Sequence, residues 1–256
     1  MRITTIINGK GGVAKTTTTQ ALGTGLNQTA QFKPLVIDYD AQGNLSASYG
    51  LKEKECPTFY HILNGDISVK EAVRSTEEGD IIAGNASLSR VEALFNDPIT
   101  GMYAFKEQIE KLEGYTHIFI DNQPLIAGFL TRQTLVATND IVIPVTADSF
   151  TLQGLNALYE AFKTIKKHAN PDIRIDGLLL TRHNPRLTLK RDIQTNLEEW
   201  SKVLNTKVYK THIREGVAVQ EAQAVKQGIF TYDKKCNPAQ DYRAFILEYL
   251  EDQRNA

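Results

Sequence analysis

Cysteine is scarce: Cys56 and Cys236 are the only two in 256 residues, far apart and outside any paired motif. A disulfide framework and a cysteine zinc site are therefore not expected, and reduced thiols in a cytosol are. The set of cysteines that an iron–sulfur electron carrier needs is missing too. No apolar run is long enough to span a bilayer. The opening "MRITTII" enters a strand at once, without the apolar core and small-residue cleavage site of a signal peptide. No segment before that strand could hold a helix-turn-helix, so operator-specific DNA binding is not expected either. Neither sign of charge is in excess, with 29 Lys and Arg against 30 Asp and Glu. Any nucleic-acid or membrane partner must therefore be sought in local patches. Repeats, low-complexity tracts and linkers are absent, and Gly and Pro are spread along the chain, so one domain over 1–256 is expected.

What the sequence does have is alternation. Short apolar runs at 3–7, 34–40, 80–84, 116–121, 140–145 and 175–181 read as central strands of a parallel sheet, with a late edge strand at 206–211. Between and after them, helical periodicity predicts helices at 16–28, 87–96, 101–113, 127–138, 151–168, 187–200 and 239–253. Strands alternating with helices make an α/β protein with a doubly wound, mostly parallel sheet and helices on both faces. Ligands of such sheets bind at the carboxyl ends of the strands.

The first strand leads into "NGKGGVAKTT". Gly9-x4-Ala14-Lys15-Thr16 is the spacing of a phosphate-binding loop, with alanine at the second glycine position. Glycines let successive N–H groups turn toward phosphate oxygens, and the helix starting near Thr16 adds its positive dipole end. Gly9, Lys10, Gly11, Gly12, Val13, Ala14, Lys15, Thr16 and Thr17 form this nucleotide-binding segment. Lys15 would contact the β- and γ-phosphates, and the Thr16 hydroxyl would hold Mg²⁺. A Cβ at Ala14 is expected to crowd the loop. Lys10 on its own reads as a solvated loop lysine.

Two strand ends carry acids. "VIDYDAQGNLS" puts Asp38, Asp40, Gln42 and Asn44 on alternate positions, and "THIFIDNQP" ends a strand in Asp121 with Pro124 three residues on. Strand-end acids are often turn formers. Beside a phosphate loop they become candidates for orienting water or Mg²⁺.

"KGGVAKTT" resembles the deviant Walker A motif of the ParA/MinD family of P-loop ATPases, usually K-G-G-x-G-K-T-T, and the chain looks closest to the Soj-like ParA partition ATPases. The Asp38 stretch resembles the family's D-x-D-P-Q-x-N segment with Ala41 for proline. The Asp121 stretch resembles its D-x-P-P with Gln123 for the first proline. Stretches 139–158 and 228–245 are consistent with it, so the likeness covers nearly the whole chain. It implies that ATP and Mg²⁺ are the cofactors and that Lys10 reaches the phosphates of the other subunit of a nucleotide-sandwich homodimer. It further implies that Asp40 positions the attacking water, while Asp38 and Asp121 support the metal's hydration shell. Lys10, Lys15 and Asp40 would then be catalytic, and Thr16, Asp38 and Asp121 the metal set. Adenine is expected as the base, because "TRHN" follows the strand ending near 181 and no N-K-x-D run occurs.

Residues 182–214 carry eight basic side chains against three acids, a local net of +5. Such a segment suits phosphate-backbone binding, and it also suits an ordinary solvated helix face. ParA-type proteins bind DNA non-specifically through this part of the fold, which implies roles for Arg186, Lys190, Arg191 and Arg214. Ala218 stands where the family usually has arginine, which would shift DNA contact toward Arg214 and Lys226. The ending "DYRAFILEYLEDQRNA" has an apolar stripe with several acids and reads as a packed helix, not a membrane anchor. The expectation is a cytoplasmic, nucleoid-associated ATPase that dimerises with ATP, binds double-stranded DNA non-specifically, answers to a ParB-like partner and has no membrane role. A nucleotide-switched regulator of protein partners and a phosphoryl-transfer or ligase enzyme acting on a small molecule remain as alternatives.

Overall fold

The computed structural model describes residues 1–52, 56–147, 152–184 and 190–254, the side chains of 152–154, 190–193 and 254 excepted. The chain begins with β1 (Arg2–Ile6), α1 (Lys15–Asn27), β2 (Pro34–Tyr39), α2 (Asn44–Ser48), α3 (Phe59–Asn64) and α4 (Val69–Ala72). A hairpin of β3 (Arg74–Thr76) and β4 (Gly79–Ile82) follows, then α5 (Pro98–Ile109), β5 (His117–Asn122), α6 (Phe129–Ala137) and β6 (Asp140–Val145). The remainder is α7 (Leu152–His168), β7 (Arg174–Leu180), α8 (Lys190–Val203), β8 (Lys207–Val208), α9 (Val217–Ala224), α10 (Ile229–Tyr232) and α11 (Asn237–Arg254).

The eight strands make one sheet in the order β3-β4-β2-β5-β1-β6-β7-β8. All neighbours run parallel except the β3–β4 hairpin. The doubly wound α/β expectation therefore holds. β2, β5 and β6 are buried at every residue, which is what strands covered on both faces require. Successive residues point to opposite faces, so Val36 joins one apolar cluster while Leu35 and Ile37 join another. On one face α1, α2 and α9 to α11 pack over Ile6, Val36, Phe119, Val142 and Leu179. On the other, α3 to α5 cover the β2–β5 half, and α6 to α8 cover the β6–β7 half.

The central helix α1 lies between the sheet and that outer layer, and ten of its 13 residues are buried. Two of its buried threonines have bonded hydroxyls, Thr19 Oγ1 to Lys15 O at 3.1 Å and Thr18 Oγ1 to Tyr242 Oη at 3.1 Å, while Thr24 Oγ1 is buried without a hydrogen-bond partner among the described residues.

Three sequence expectations need correction. The helix at 87–96 is instead a pair of 3-10 turns, Ala86–Arg90 and Glu92–Leu94. Asn85 Oδ1 accepts the Ser87 N–H and starts the first turn, and i→i+3 bonds such as Leu88 N to Asn85 O (3.0 Å) close the run before it becomes an α-helix. The strand at 206–211 shrinks to Lys207–Val208. The helix at 101–113 is shifted to Pro98–Ile109 because Asp97 caps it, accepting from Ile99 N and Thr100 N.

Candidate functional site

β1 is flanked by β5 and β6, so chain connections diverge on its two sides and a crevice opens at its carboxyl end. The glycine loop fills that crevice. Buried Asn8 pins its base, donating from Nδ2 to Pro144 O (2.8 Å) and accepting the Lys10 N–H on Oδ1 (3.0 Å). Thr181 Oγ1 donates to Val13 O at 3.1 Å and so ties the loop to the end of β7. Gly12 (φ 76°) and Ala14 (φ 63°, ψ 31°) both adopt the left-handed conformation. Ala14 thus occupies a position that glycine would hold without strain. A Cβ on Gly9 would come within 3.2 Å of Ile126 Cγ1, so this glycine lets the loop after β5 pass close by.

Lys15 is buried and donates from Nζ to Lys10 O at 3.1 Å. Burial lowers its pKa, and the negative charges of Asp121 and Asp40 pull it back up. Thr16, in the first turn of α1, donates from Oγ1 to Asp121 Oδ2 at 2.6 Å.

The sheet register explains why the acids meet there. Ile6, Asp121 and Asp38 lie on one rung across β1, β5 and β2. Asp38 is fully buried, and its pKa is raised to about 6 chiefly by desolvation, against hydrogen bonds from Ser46. Asp121 is raised well above the usual carboxylate range by burial and then by the charge of Asp38. Its Oδ1 is buried with no hydrogen-bond partner. Asp40, half-buried beyond the end of β2, accepts the Gln42 N–H on Oδ1 at 3.0 Å.

Beside these residues lies a cleft of about 450 Å³. Gly11, Gly12, Ala14 to Thr17, Asp40, Gln42 and Pro124 line one side. The other is lined by residues that sequence reasoning missed, among them Ile213, Glu215, Val219, Gln223 and Tyr242. That far wall is built where the chain past β7 pairs with the chain past β8 through a parallel His183–Arg214 bridge. Arg182 reaches across it, donating to Glu215 Oε1 from Nη2 (2.9 Å) and to Gly12 O from Nη1 (3.3 Å). Gln223 Nε2 donates to Thr17 Oγ1 at 3.2 Å. No spacing signals these contacts: Arg182 lies 170 positions from Gly12 and Gln223 lies 206 from Thr17, and only the place of "TRHN" directly after a strand hints at them.

The structure therefore gathers Gly9 to Thr17, Asp38, Asp40 and Asp121 at one site, with Lys10 half-buried at its edge. Among the described residues, three basic side chains of 182–214 are held in ion pairs. Arg214 lines the cleft, its guanidinium bonded to Asp241 (Nη2 to Oδ1, 2.7 Å). Lys207 pairs with Asp252. Arg186 lies outside the described residues, as do the side chains of Lys190 and Arg191, which open α8. Ala218 is partly buried against the core. No helix among the described residues is long and apolar enough to cross a membrane.

The residues fit a hard divalent cation. Among the described residues no cluster of three or more His, Cys, Asp or Glu side chains could hold a metal. Mg²⁺ needs none, because it takes one or two carboxylates and fills its shell with water and phosphate oxygens. The unpartnered Asp121 Oδ1, the Thr16 hydroxyl beside it and Asp38 opposite supply that donor set.

Residues 1–175 match the AAA domain family. The chain is 30% identical over 261 residues to the chromosome partitioning protein ParA of Caulobacter vibrioides, covering 100% of this chain and 96% of that one. It is 33% identical over 245 residues to the sporulation initiation inhibitor protein Soj of Bacillus subtilis, covering 94% and 95%. Among solved structures, cobyrinic acid a,c-diamide synthase from Mycobacterium smegmatis with bound ADP and magnesium superposes with a TM-score of 0.82 at 26% identity, covering 99% and 96% of the two chains. The septum site-determining protein MinD from Pyrococcus horikoshii, complexed with Mg-ADP, shares the fold with a TM-score of 0.74 at 22% identity, covering 96% and 95%. With its glycine loop, its two strand-end acids and these full-length likenesses, the chain belongs to the ParA/MinD family of deviant Walker A P-loop ATPases, on the ParA and Soj side.

Proposed function

We propose that this protein is a Mg²⁺-dependent ATPase of the partition type. ATP holds two copies face to face, the dimer binds double-stranded DNA non-specifically, and hydrolysis, stimulated by a ParB-like partner, releases it to segregate a plasmid, chromosome or mobile element. The observation that carries the nucleotide site is the Thr16–Asp121 hydrogen bond beside the unpartnered Asp121 Oδ1, one helical step from buried Lys15. The full-length similarity to chromosome partitioning protein ParA supports the cellular role.

In this reading Lys15 exchanges the Lys10 carbonyl for β- and γ-phosphate oxygens, and the loop N–H groups and the start of α1 hold the rest of the phosphate chain. Mg²⁺, held by Thr16 and through water by Asp38 and Asp121, supplies charge neutralisation at the phosphates. Asp40 orients the attacking water. The water oxygen bonds to the γ-phosphorus, the bond to the β-bridging oxygen breaks, and ADP and phosphate leave with a proton released. Lys10 reaches the phosphates of the partner copy. The protein works in the cytoplasm, on the nucleoid.

A second reading is a nucleotide-switched regulator of protein partners. It is favoured by the pairing of Arg182, Lys207 and Arg214 with Glu215, Asp252 and Asp241, which neutralises three of the eight bases in 182–214. Binding to random-sequence duplex DNA with ATP, with ADP and without nucleotide, over a salt series, separates the two. A partition ATPase binds only with ATP, keeps binding in Asp40→Ala, which traps the ATP state, and weakens steeply with salt. ATP-dependent dimerisation with no DNA binding in any state would establish the regulator instead.

A further inference from the structure

Ser46 lies in α2 just past the Asp40–Gln42 turn, buried and outside the motif positions assigned above. Both of its donors are spent on one atom: the Ser46 N–H and Oγ each donate to Asp38 Oδ2 at 2.7 Å. The same Oγ accepts the Gly84 N–H at 2.8 Å. Gly84 follows β4 so closely that an added Cβ would stand 2.6 Å from Asp38 O and 2.7 Å from Asp38 Cγ. Asp38 Oδ1 has a much lighter tie, a 3.3 Å contact from Asp40 N. A single hydroxyl therefore stands between a main-chain donor and a buried carboxylate. It decides which carboxylate oxygen is occupied by protein and which is left for a ligand.

We propose that Ser46 is a positioning residue for the cation–nucleotide site: it holds Asp38 Oδ2 and stands off the Gly84 N–H, leaving Oδ1 to meet a water of the cation's hydration shell. This rests on the nucleotide reading given above. Without the hydroxyl, the Gly84 N–H loses its acceptor, and the nearest substitute is the Asp38 carboxylate itself. The carboxylate would turn toward Gly84, and Oδ1 would leave the position in which it meets the Asp40 N–H. Asp38 would stay buried and the phosphate loop untouched, so the loss falls on the Mg²⁺-dependent part of binding alone.

The test is equilibrium binding of a fluorescent ADP analogue to the full chain, in Mg²⁺ and in EDTA, for wild type, Ser46→Ala, Ser46→Thr and Asp121→Asn. Ser46→Ala is expected to lose about tenfold of the tightening that Mg²⁺ confers, the scale of one hydrogen bond to a charged group. Its affinity in EDTA should stay at the wild-type value, which also shows that the variant is folded. Ser46→Thr, which keeps the hydroxyl, should keep most of the tightening. Full tightening in Ser46→Ala with loss in Asp121→Asn overturns the role of Ser46 and leaves the nucleotide reading standing. Equal weakening in Mg²⁺ and EDTA makes Ser46 merely structural and overturns the proposal. Full tightening in both Ser46→Ala and Asp121→Asn overturns the carboxylate–cation reading and the proposal with it.

Discussion

Ala14 sits at φ 63° in the loop that carries the site. A left-handed alanine costs about 1–2 kcal/mol, and replacing it by glycine returns part of that through the greater unfolded-state entropy of glycine, about 1 kcal/mol. Ala14→Gly is therefore expected to change stability by about zero to 1 kcal/mol in the stabilising direction. Urea unfolding reads it out, and a loss larger than about 1 kcal/mol would mean that the alanine methyl packs usefully. His117, the first residue of β5, tests the opposite, amino-terminal end of the central strands. It is buried, stacked on Phe119 and near the Gln253 Oε1 and Thr116 Oγ1 atoms, and desolvation first, then Arg2 and the N-terminus, lower its pKa below 6.5. The folded form then resists protonation that the unfolded chain accepts, so the contribution is whole above about pH 6.5 and is lost as pH falls below it. His117→Gln should flatten the stability loss between about pH 6.5 and 5. An unchanged slope in urea midpoints across that range would clear His117 of the effect.

At the scale of the elements, α1 owes its place to close approach and not to helix propensity. "KTTTTQALGTGLN" is rich in β-branched residues and carries two glycines, a weak helix by composition. Yet a Cβ on Gly23 would meet Val36 Cγ1 at 2.3 Å and Tyr49 Oη at 2.9 Å, so the helix lies against β2 where only glycine fits. Gly23→Ala should destabilise the protein by about 1–3 kcal/mol, as overpacked sites do, despite improving helix propensity. A stabilised variant in thermal melts would show that β2 can yield. The same contrast sets what could be read in the sequence. β2, β5 and β6 announce themselves because a strand buried on both faces must be mostly apolar. β3, with the sequence "RST", pairs at an edge and leaves no such mark. The short helices Phe59–Asn64 and Val69–Ala72 depend on capping boxes at Thr58 and Ser68, signals too local to stand out beside longer periodic runs.

For the whole molecule, the site holds buried charge at a cost that a ligand offsets. Asp38 and Asp121 sit on neighbouring strands, desolvated and repelling each other, with Lys15 nearby. A Mg-nucleotide that binds only the folded form stabilises it by about 2.7 kcal/mol at a hundredfold excess over its Kd. In a chain of this size that is a rise in Tm of about 5–10 °C. Lys15→Ala is expected to abolish the rise without lowering the Tm of the nucleotide-free protein, and a preserved shift on adding Mg-ADP would remove Lys15 from the phosphates. The part of the site made by Gly9 to Thr17, Asp38, Asp40 and Asp121 was legible because phosphate and cation chemistry demands those residue types at fixed spacing. The part made by Arg182, Glu215, Gln223 and Tyr242, and the Ser46 contact behind Asp38, was not. Any residue of suitable size can serve as a wall, and its place is decided by packing between segments remote in sequence.

The strand order has a consequence in time. β1 lies in the middle of the sheet, but its neighbours are supplied by Arg2↔His117 and Thr4↔Asp140 pairings. During synthesis at about 5–20 residues per second, β1 and its apolar side chains wait on the order of ten seconds before β5 emerges to pair with them. The loop from Gly9 to Thr17 waits as well, because its anchor at Asp121 comes with β5 and those at Pro144 and Thr181 come later still. The loop is made well before the segments that anchor it.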